Sequence, residues 1–338
     1  MHKVYLNEAD KKKLRQMIDG CRNVAIIVHK GPDGDALGSA LALAEVLRKK
    51  GKNTTIISPD DVSSMLSCIK NVDAILSFKS NNDKATPVLQ YADLIFCLDF
   101  NNIDRAAGME KLISNSTAKK VQIDHHQSPS VPVDLLVSDP DSCSTAKIIY
   151  KIIVELGDGG LIDKTVAEYI YTGMMTDTGN FSFNSQDPEI YEIISRFLAL
   201  GINKDAIHKA VMKTLDENLL RLNAHLIADC MTIRHEIHTA FVKLTKADMD
   251  KYGYVKSSTE GLVNEPLKIP DVNYSFYLRE DPECIRISAR SEGDHDVDRI
   301  CKLLGGGGHI NAAGAQFKGS IDDAEKAVID ALIKSQNK

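Results

Sequence analysis

The feature that most constrains the fold is a regular alternation of short apolar runs and helical patterns in the first half of the chain. The apolar runs lie at residues 24–28 (VAIIV), 54–58, 94–98 (LIFCL) and 121–123. A Gly-Pro-Asp-Gly turn and a helical pattern at 36–50 follow the first of them. Short β-rich runs that alternate with helices are typical of βαβ units. The sequence therefore predicts an α/β fold whose N-terminal domain is a doubly wound, mainly parallel sheet.

In the second half of the chain the regular alternation stops: helical patterns follow one another, and strand-like runs return only later. Helical spacing continues at residues 144–156 and 164–175, and Asp187-Pro188 can start another helix. Strand-like runs return at 239–243, 274–278 and 284–289. The predicted segments are a catalytic α/β domain at 1–187, a helical linker at 188–230 and a smaller C-terminal α/β domain at 231–338.

Length, charge and cysteine usage limit the class of protein. The 338 residues suffice for two domains, and no apolar run approaches the roughly 18 residues of a membrane span. The polar start carries no secretory h-region, and seven cysteines without a C-x-x-C pair are typical of reduced thiols, so we expect a soluble, cytoplasmic protein. A net charge of −6 argues against binding to long duplex nucleic acid. A short anionic substrate stays compatible with this charge.

Carboxylates and histidines cluster where the predicted strands end. They are His29, Asp33 and Asp35 in HKGPDGDALGS, Asp99 in LIFCLD, Asp124, His125 and His126 in VQIDHH, and Asp177 in a turn after a helix, in TDTGNF. Each has an ordinary explanation when taken singly, as a helix cap, a turn residue or a structural histidine. Open α/β sheets, however, bind ligands at the carboxyl ends of their strands. Three strands that end in metal-ligating residue types favour one shared site at that edge.

The residue types indicate the chemistry of that site. Carboxylate and imidazole ligands without thiolate suit Mn²⁺, Mg²⁺ or Fe²⁺ better than structural zinc. The four aspartates at 33, 35, 99 and 177 supply a charge that two divalent ions would balance. Two ions about 3.5–4 Å apart can activate a water and bind a phosphoryl oxygen. The sequence thus predicts a two-metal phosphoesterase, with His126 as one candidate for stabilising the anionic substrate.

A second informative segment is ISARSEGDHDVDRICKLLGGGGHINAAGA near the C-terminus. Gly306, Gly307 and Gly308 would let backbone N–H groups approach phosphate oxygens. His309 would start a helix whose positive end favours anions, and Arg290 at a strand end could bind a phosphate with two hydrogen bonds. A flexible glycine hinge with a solvated arginine and histidine is the alternative, and these residues alone leave it open.

Taken together, these motifs resemble the DHH phosphoesterases of the two-domain type, a DHH domain followed by a DHH-associated C-terminal domain. The resemblance rests on HKGPDGDALGS, the strand-end Asp99, IDHH, TDTGNF and the pair SAR and GGGGHINAAG, and it runs from about residue 20 to about residue 320. It implies a metal-ligand set in which Asp99 bridges two ions. The implied set is His29 and Asp33 on one ion, and Asp35, His125 and Asp177 on the other.

The resemblance also implies roles beyond metal binding. Asp124 would support His125 by accepting its hydrogen bond, as carboxylates usually do for ligating imidazoles. His126 would contact the scissile phosphate, while Arg290 and His309 would hold substrate phosphates across an interdomain cleft. One position departs from many relatives, which have arginine where this chain has Asn180, so phosphate contacts near that loop are not carried over.

Within the family, the length and the glycine-histidine signature resemble the NrnA-like oligoribonucleases. This implies hydrolysis of very short oligoribonucleotides, pApA included, to mononucleotides, and dephosphorylation of 3′-phosphoadenosine 5′-phosphate (pAp) to AMP. The expected cofactors are two divalent ions, Mn²⁺ before Mg²⁺ or Co²⁺, and the expected assembly is a homodimer. Two alternatives stay open. One is a phosphodiesterase of cyclic di-AMP or its linear product. The other is a non-catalytic nucleotide-binding protein, although such a protein would have a broken ligand set and this one is intact.

Overall fold

The chain divides into two units, Met1–Thr214 and Leu215–Lys338. The structure, a computed structural model, describes residues 3–63, 66–212, 217–254, 259 and 261–336. No helix within these ranges is long and apolar enough to cross a bilayer. The domain boundaries expected after residues 187 and 230 stay a prediction.

The first unit contains a six-stranded sheet in which all neighbours are parallel, in the order β3-β2-β1-β4-β5-β6. The strands are β1 (Asn23–Ile27), β2 (Asn53–Ser58), β3 (Leu76–Ser77), β4 (Leu94–Leu98), β5 (Lys119–Asp124) and β6 (Leu135–Ser138). The strand order reverses direction between β1 and β4, which is the point where sheets of this kind bind ligands.

Helices cover both faces of this sheet. They are α1 (Glu8–Gly20), α2 (Gly34–Lys49), α3 (Asn82–Gln90), α4 (Glu110–Asn115), α5 (Thr145–Glu155), α6 (Lys164–Asp177), α7 (Pro188–Ala199) and α8 (Lys204–Met212). Successive residues of a strand point to opposite faces. In β4, Phe96 lies in the core beneath α2, α5 and α6, whereas Ile95 and Cys97 lie in the core beneath α3 and α4. Burial on both sides explains the continuous apolar run and confirms the predicted doubly wound α/β fold.

A glycine on α6 allows this helix to pack closely on its neighbours. A Cβ atom on Gly173 would lie 2.6 Å from the Cβ of Ala146 on α5 and 2.7 Å from Oδ1 of Asp35 on α2. Any larger residue would separate the helices. Asp177 is the last residue of α6. The prediction that it lies in the turn after the helix is therefore wrong by one position.

The second unit contains a six-stranded mixed sheet in the order β11-β12-β10-β9-β8-β7, in which β8 and β9 are parallel and the other pairs antiparallel. Its elements are α9 (Glu217–Ala228), β7 (Met231–Arg234), β8 (Thr239–Leu244), α10 (Lys246–Tyr252), β9 (Tyr274–Glu280), β10 (Ile285–Ser291), α11 (Val297–Leu303), β11 (Gly307–His309), β12 (Ala312–Phe317) and α12 (Ile321–Gln336). Phe276 of β9 faces the core with α11 and α12, and Tyr277 faces the core with α9 and α10.

The glycine-rich segment forms a β-hairpin. β11 ends at His309 and pairs with β12, so the helix predicted to start at His309 is wrong. The reason is the close approach of the two strands, since a Cβ atom on Gly306 would lie 2.1 Å from the carbonyl oxygen of Gly314. Position 306 must be glycine because a side chain there would collide with the neighbouring strand. His309 ends a strand, so it has no helix N-terminus that could attract an anion.

Candidate active site

The first ligand group lies between the carboxyl ends of β1 and β4. Nε2 of His29 lies 3.8 Å from Oδ2 of Asp33 and 3.5 Å from Oδ2 of Asp99. Nδ1 of the same ring lies 3.0 Å from the carbonyl oxygen of Lys30, to which its N–H can donate. That hydrogen bond orients the ring so that Nε2 faces the two carboxylates. The three ligand atoms lie within 4.8 Å of one another, which suits a metal ion.

The second ligand group contains Asp35, His125 and Asp177, whose ligand atoms also lie within 4.8 Å of one another. Nε2 of His125 lies 3.4 Å from Oδ2 of Asp177 and 3.5 Å from Oδ1 of Asp99. Asp99 therefore directs Oδ2 toward the first group and Oδ1 toward the second. This is the arrangement that a carboxylate shared by two ions would need.

Asp99 adopts an uncommon backbone conformation to do this. Its φ of 63° lies in the left-handed region, and the residue is only 1% exposed. Aspartate and asparagine tolerate this region better than most residues. Backbone strain of this kind is concentrated at functional sites.

The amino end of α5 holds two of the carboxylates. The N–H of Thr145 donates to Oδ2 of Asp35 at 2.7 Å, and the N–H of Ala146 donates to Oδ1 at 2.9 Å. The Thr145 hydroxyl donates to Oδ1 of Asp99 at 2.8 Å. Thr145 is not among the residues predicted from the sequence, because its only local signal is its place at the start of a helix after β6.

Burial and mutual repulsion shape the charges of this site. Burial raises the pKa of Asp35 well above its usual range, and the charges of Asp99 and Asp177 add to the effect. Burial also raises the pKa of Asp177 to about 6, with further repulsion from Asp99. The pKa of Asp99 is lowered in spite of burial, because His29 donates to it and His125 adds positive charge.

Several buried carboxylates in contact are costly unless cations compensate them. The donors are carboxylate oxygens and imidazole nitrogens, which fit divalent ions such as Mn²⁺ and Mg²⁺. The residues present therefore fit a metal centre.

Asp124 makes a different contact from the expected one. Its Oδ1 accepts hydrogen bonds from the backbone N–H of His126 at 3.1 Å and from Nδ1 of the same residue at 2.8 Å. Nδ1 of His125 lies instead 3.3 Å from the carbonyl oxygen of Ser142. The expected Asp124–His125 hydrogen bond is thus wrong. An aspartate readily accepts from the residue two positions ahead, so local turn geometry selects His126.

Arg290 and His309 lie in the second unit. Arg290 on β10 is half-buried, and its Nη1 donates to the carbonyl oxygen of Ala289 at 2.9 Å. Among the described residues no carboxylate forms an ion pair with it, and burial lowers its pKa. A half-buried guanidinium without a carboxylate partner is suited to binding an anion. His309 is exposed at the end of β11.

Two of the three glycines expected to bind phosphate use their N–H groups inside the protein. The N–H of Gly308 donates to Oδ1 of Asp298 at 2.7 Å, and that of Gly306 donates to the carbonyl oxygen of Cys301 at 2.8 Å. Those two expected contacts are therefore wrong in this structure. A phosphate contact by Gly307 stays a prediction.

The loop after α6 contains the residue at which the chain departs from many relatives. Gly179, Asn180 and Phe181 all have positive φ, of 54°, 58° and 61°. Asparagine is well suited to this region, whereas a bulky aromatic residue is an outlier. The loop is thus a strained segment directly after Asp177.

Two family models match the chain. The N-terminal domain of the DHH family matches residues 23–174, and the DHHA1 domain matches residues 238–335. Both matches agree with the order of domains that the motifs predict.

Similar proteins were found among curated sequences. The bifunctional oligoribonuclease and PAP phosphatase NrnA of Thermus thermophilus is 26% identical over 312 residues, which cover 91% of this chain and 89% of that protein. NrnA of Bacillus subtilis is also 26% identical, with 90% and 93% covered. The cyclic-di-AMP phosphodiesterase GdpP of Bacillus subtilis is 25% identical over 94% of this chain, but only 49% of GdpP is covered.

Solved structures show the same architecture. The crystal structure of an exopolyphosphatase-related protein from Bacteroides fragilis is 37% identical, with a TM-score of 0.95 and coverage of 99% of this chain and 98% of that chain. RecJ from Thermus thermophilus in complex with Mn²⁺ is 14% identical with a TM-score of 0.58, over 97% of this chain and 54% of that chain. At that identity the second similarity shows the fold alone.

Proposed function

Because the chain belongs to the DHH family and carries a DHHA1 domain, we propose that it is a metal-dependent phosphoesterase that acts on very short oligoribonucleotides and on pAp. The observation that carries the proposal is the pair of ligand groups at the switch point of the parallel sheet, between which Asp99 directs Oδ2 toward His29 and Oδ1 toward His125. The names of the two NrnA relatives, which match over nearly their whole length, support the substrate class.

Six residues are assigned as metal ligands, with Mn²⁺ as the expected ion and Mg²⁺ or Co²⁺ as substitutes. They are His29, Asp33, Asp35, Asp99, His125 and Asp177. When bound, divalent ions in such a site lower the pKa of water and neutralise charge on a phosphoryl group. The number of ions, two, is part of the proposal.

The protein side chains then bind and orient the substrate. Asp124 fixes the ring of His126 through Nδ1, which leaves Nε2 to donate to a phosphate oxygen. The pKa of His126 is raised, because its hydrogen bond to Asp124 outweighs the opposing effect of burial. A protonated ring is a strong donor to an anionic oxygen. Arg290 and His309 are assigned to a second substrate phosphate, and a homodimer stays a prediction.

A cyclic dinucleotide is the second candidate substrate. The curated cyclic-di-AMP phosphodiesterases match 94% of this chain, although the chain spans only about half of their length. The same residues could serve a linear or a cyclic phosphodiester, so the choice between them requires a direct comparison.

The decisive experiment is product analysis with a substrate panel. The purified full-length protein would receive pApA, pAp or cyclic di-AMP in the presence of Mn²⁺, with products separated by chromatography. We expect AMP from pApA and from pAp, and slow turnover of cyclic di-AMP. Faster hydrolysis of cyclic di-AMP would favour the second candidate, and no hydrolysis of any of the three would refute the proposal.

Asp99→Asn is the matched catalytic variant for this panel. Asparagine retains the left-handed backbone but removes the shared charge, so hydrolysis should be lost while the circular dichroism spectrum is unchanged. Asp83→Asn, an exposed position on α3, should behave as the wild type. Retained turnover in Asp99→Asn would contradict the assignment of a bridging ligand.

A further inference from the structure

A second cluster of metal-ligating side chains lies in the C-terminal unit, apart from the ligand groups around Asp99. It consists of His225 on α9, Cys230 directly before β7, and Asp248 on α10. Nε2 of His225 lies 3.4 Å from Sγ of Cys230 and 3.1 Å from Oδ1 of Asp248. All three ligand atoms lie within 4.8 Å of one another.

These separations are close to those around a tetrahedral ion. Zinc lies about 2.0–2.1 Å from a histidine nitrogen, about 2.3 Å from a cysteine sulfur and about 2.0–2.2 Å from a carboxylate oxygen. Tetrahedral angles then place neighbouring ligand atoms about 3.3–3.6 Å apart. The two distances from Nε2 of His225 need to change by only a few tenths of an ångström.

Neighbouring groups orient the ligands toward one point. Nδ1 of His225 lies 2.7 Å from Oδ2 of Asp229, so a carboxylate supports the ring on the side opposite Nε2. Ligating histidines commonly have such a partner, which fixes the tautomer. On Asp248, Oδ2 accepts the Thr245 hydroxyl at 2.6 Å within a capping box. Its Oδ1 therefore stays directed at His225.

The three side chains offer one nitrogen, one sulfur and one oxygen donor. Binding of a divalent cation would release the proton of the Cys230 thiol, because a metal-bound cysteine is a thiolate.

We propose that His225, Cys230 and Asp248 form a binding site for one thiophilic divalent cation of the zinc class. Solvent or another small ligand would complete the coordination. Such an ion would link the end of α9 and the start of β7 to α10. The donor set differs from the Asp99 groups, which contain no sulfur, so the two sites should select different metals.

The test uses cobalt as a spectroscopic probe on the metal-free, full-length protein. Co²⁺ bound to a thiolate gives a sulfur-to-metal charge-transfer band, which the sulfur-free Asp99 groups cannot produce. We expect this band in the wild type and its loss in Cys230→Ser. Cys284→Ser is the matched control, since this half-buried cysteine of the same unit lies outside the cluster, and the band should be retained.

A competition titration with Zn²⁺ and a chromophoric chelator gives a second measurement. Asp229→Asn should weaken Zn²⁺ binding about 10–100-fold, as loss of a supporting carboxylate usually does. His225→Gln should abolish tight binding of Zn²⁺ at this site. Circular dichroism would verify the fold of each variant. Absence of the cobalt band in the wild type would overturn the proposal, and so would its persistence in Cys230→Ser. The readout is metal binding, so the outcome is independent of whether the protein hydrolyses pApA.

Discussion

At the scale of single residues, the site depends on side chains that support the ligands. Asp99 is placed by its left-handed backbone and by the hydroxyl of Thr145, while Asp35 is held by backbone N–H groups at the start of α5. These contacts position the carboxylates before any ion binds. The supporting groups should therefore affect metal affinity more than folding.

The prediction for Thr145 follows from this support. Thr145→Val keeps the shape of the side chain but removes the hydrogen bond to Asp99, so the Mn²⁺ concentration for half-maximal hydrolysis of pApA should rise about 10–100-fold. Thr145→Ser retains a hydroxyl and should stay near the wild type. Identical Mn²⁺ dependence of the valine variant and the wild type would show that the contact has no positioning role.

Arg290 gives a prediction about substrate binding. Arg290→Ala should raise the KM for pApA at least about tenfold, since it removes a charge-assisted contact to a phosphate. Arg286→Ala is the matched control, because Arg286 lies on the same strand and its guanidinium is 3.5 Å from Oδ2 of Asp281. Equal kinetics of the two variants would remove Arg290 from the substrate site.

At the scale of secondary-structure elements, close helix packing brings Asp177 to the sheet edge. Gly173→Ala would force a methyl group against Ala146 and Asp35, and should lower the free energy of unfolding by about 1–3 kcal/mol. Gly160→Ala has no atom within 4 Å of the new Cβ and serves as the control. Urea denaturation of the two variants would measure the difference, and equal stability would contradict the packing argument.

The attachment of the N-terminal segment to β6 gives a prediction about pH. Asp139, directly after β6, accepts hydrogen bonds from Lys3 and from the Tyr5 hydroxyl, the latter at 2.7 Å. Burial alone would raise the pKa of Asp139, but these partners hold it below its usual value. A lowered folded-state pKa contributes stability that is complete above about pH 5 and is lost as the pH falls through about 4 and below.

Asp139→Asn should therefore be less stable than the wild type at pH 7, with a smaller loss of stability on acidification. The free energy of unfolding measured from about pH 7 to about pH 3 would test this. Asp141→Asn is the control, since its side chain is 95% exposed. A pH profile of Asp139→Asn parallel to that of the wild type would contradict the assignment.

At the scale of the whole molecule, two units with separate cores should unfold in two transitions. All six assigned Mn²⁺ ligands lie in the first unit, so Mn²⁺ should raise the midpoint of one transition only. The free energy of unfolding of this unit should rise by about 2.7 kcal/mol at a Mn²⁺ concentration of 100 times the Kd. Differential scanning calorimetry with and without Mn²⁺ would measure it.

Two variants would assign the transitions. Val328→Ala, on the buried face of α12, should lower the transition that Mn²⁺ does not move. Asp99→Asn should remove the Mn²⁺ effect. If Mn²⁺ shifted the transition that Val328→Ala lowers, the assignment of the Mn²⁺ ligands to the first unit would be contradicted.

Local patterns in the sequence predicted the fold class and the place of the candidate ligands. Apolar period, turn residues and strand length are local properties, and they predicted the parallel sheet of the first unit. The ends of its strands meet at one edge, so His29, Asp99 and His125 could be grouped before any distance was known. The structure brings all six candidate ligands into two groups, and Asp99 of the first group lies 3.5 Å from Nε2 of His125 in the second.

Tertiary packing, in contrast, selects the groups that support those ligands and the residues that meet across the chain. Thr145 contacts Asp99 from 46 residues away, and Asp248 meets His225 across 23 residues. The hairpin at His309 forms because β11 pairs with β12. The glycine-rich pattern of the sequence does not reveal that pairing. Contacts of this kind depend on how elements pack, and packing is set by the sum of many burial energies rather than by any local pattern.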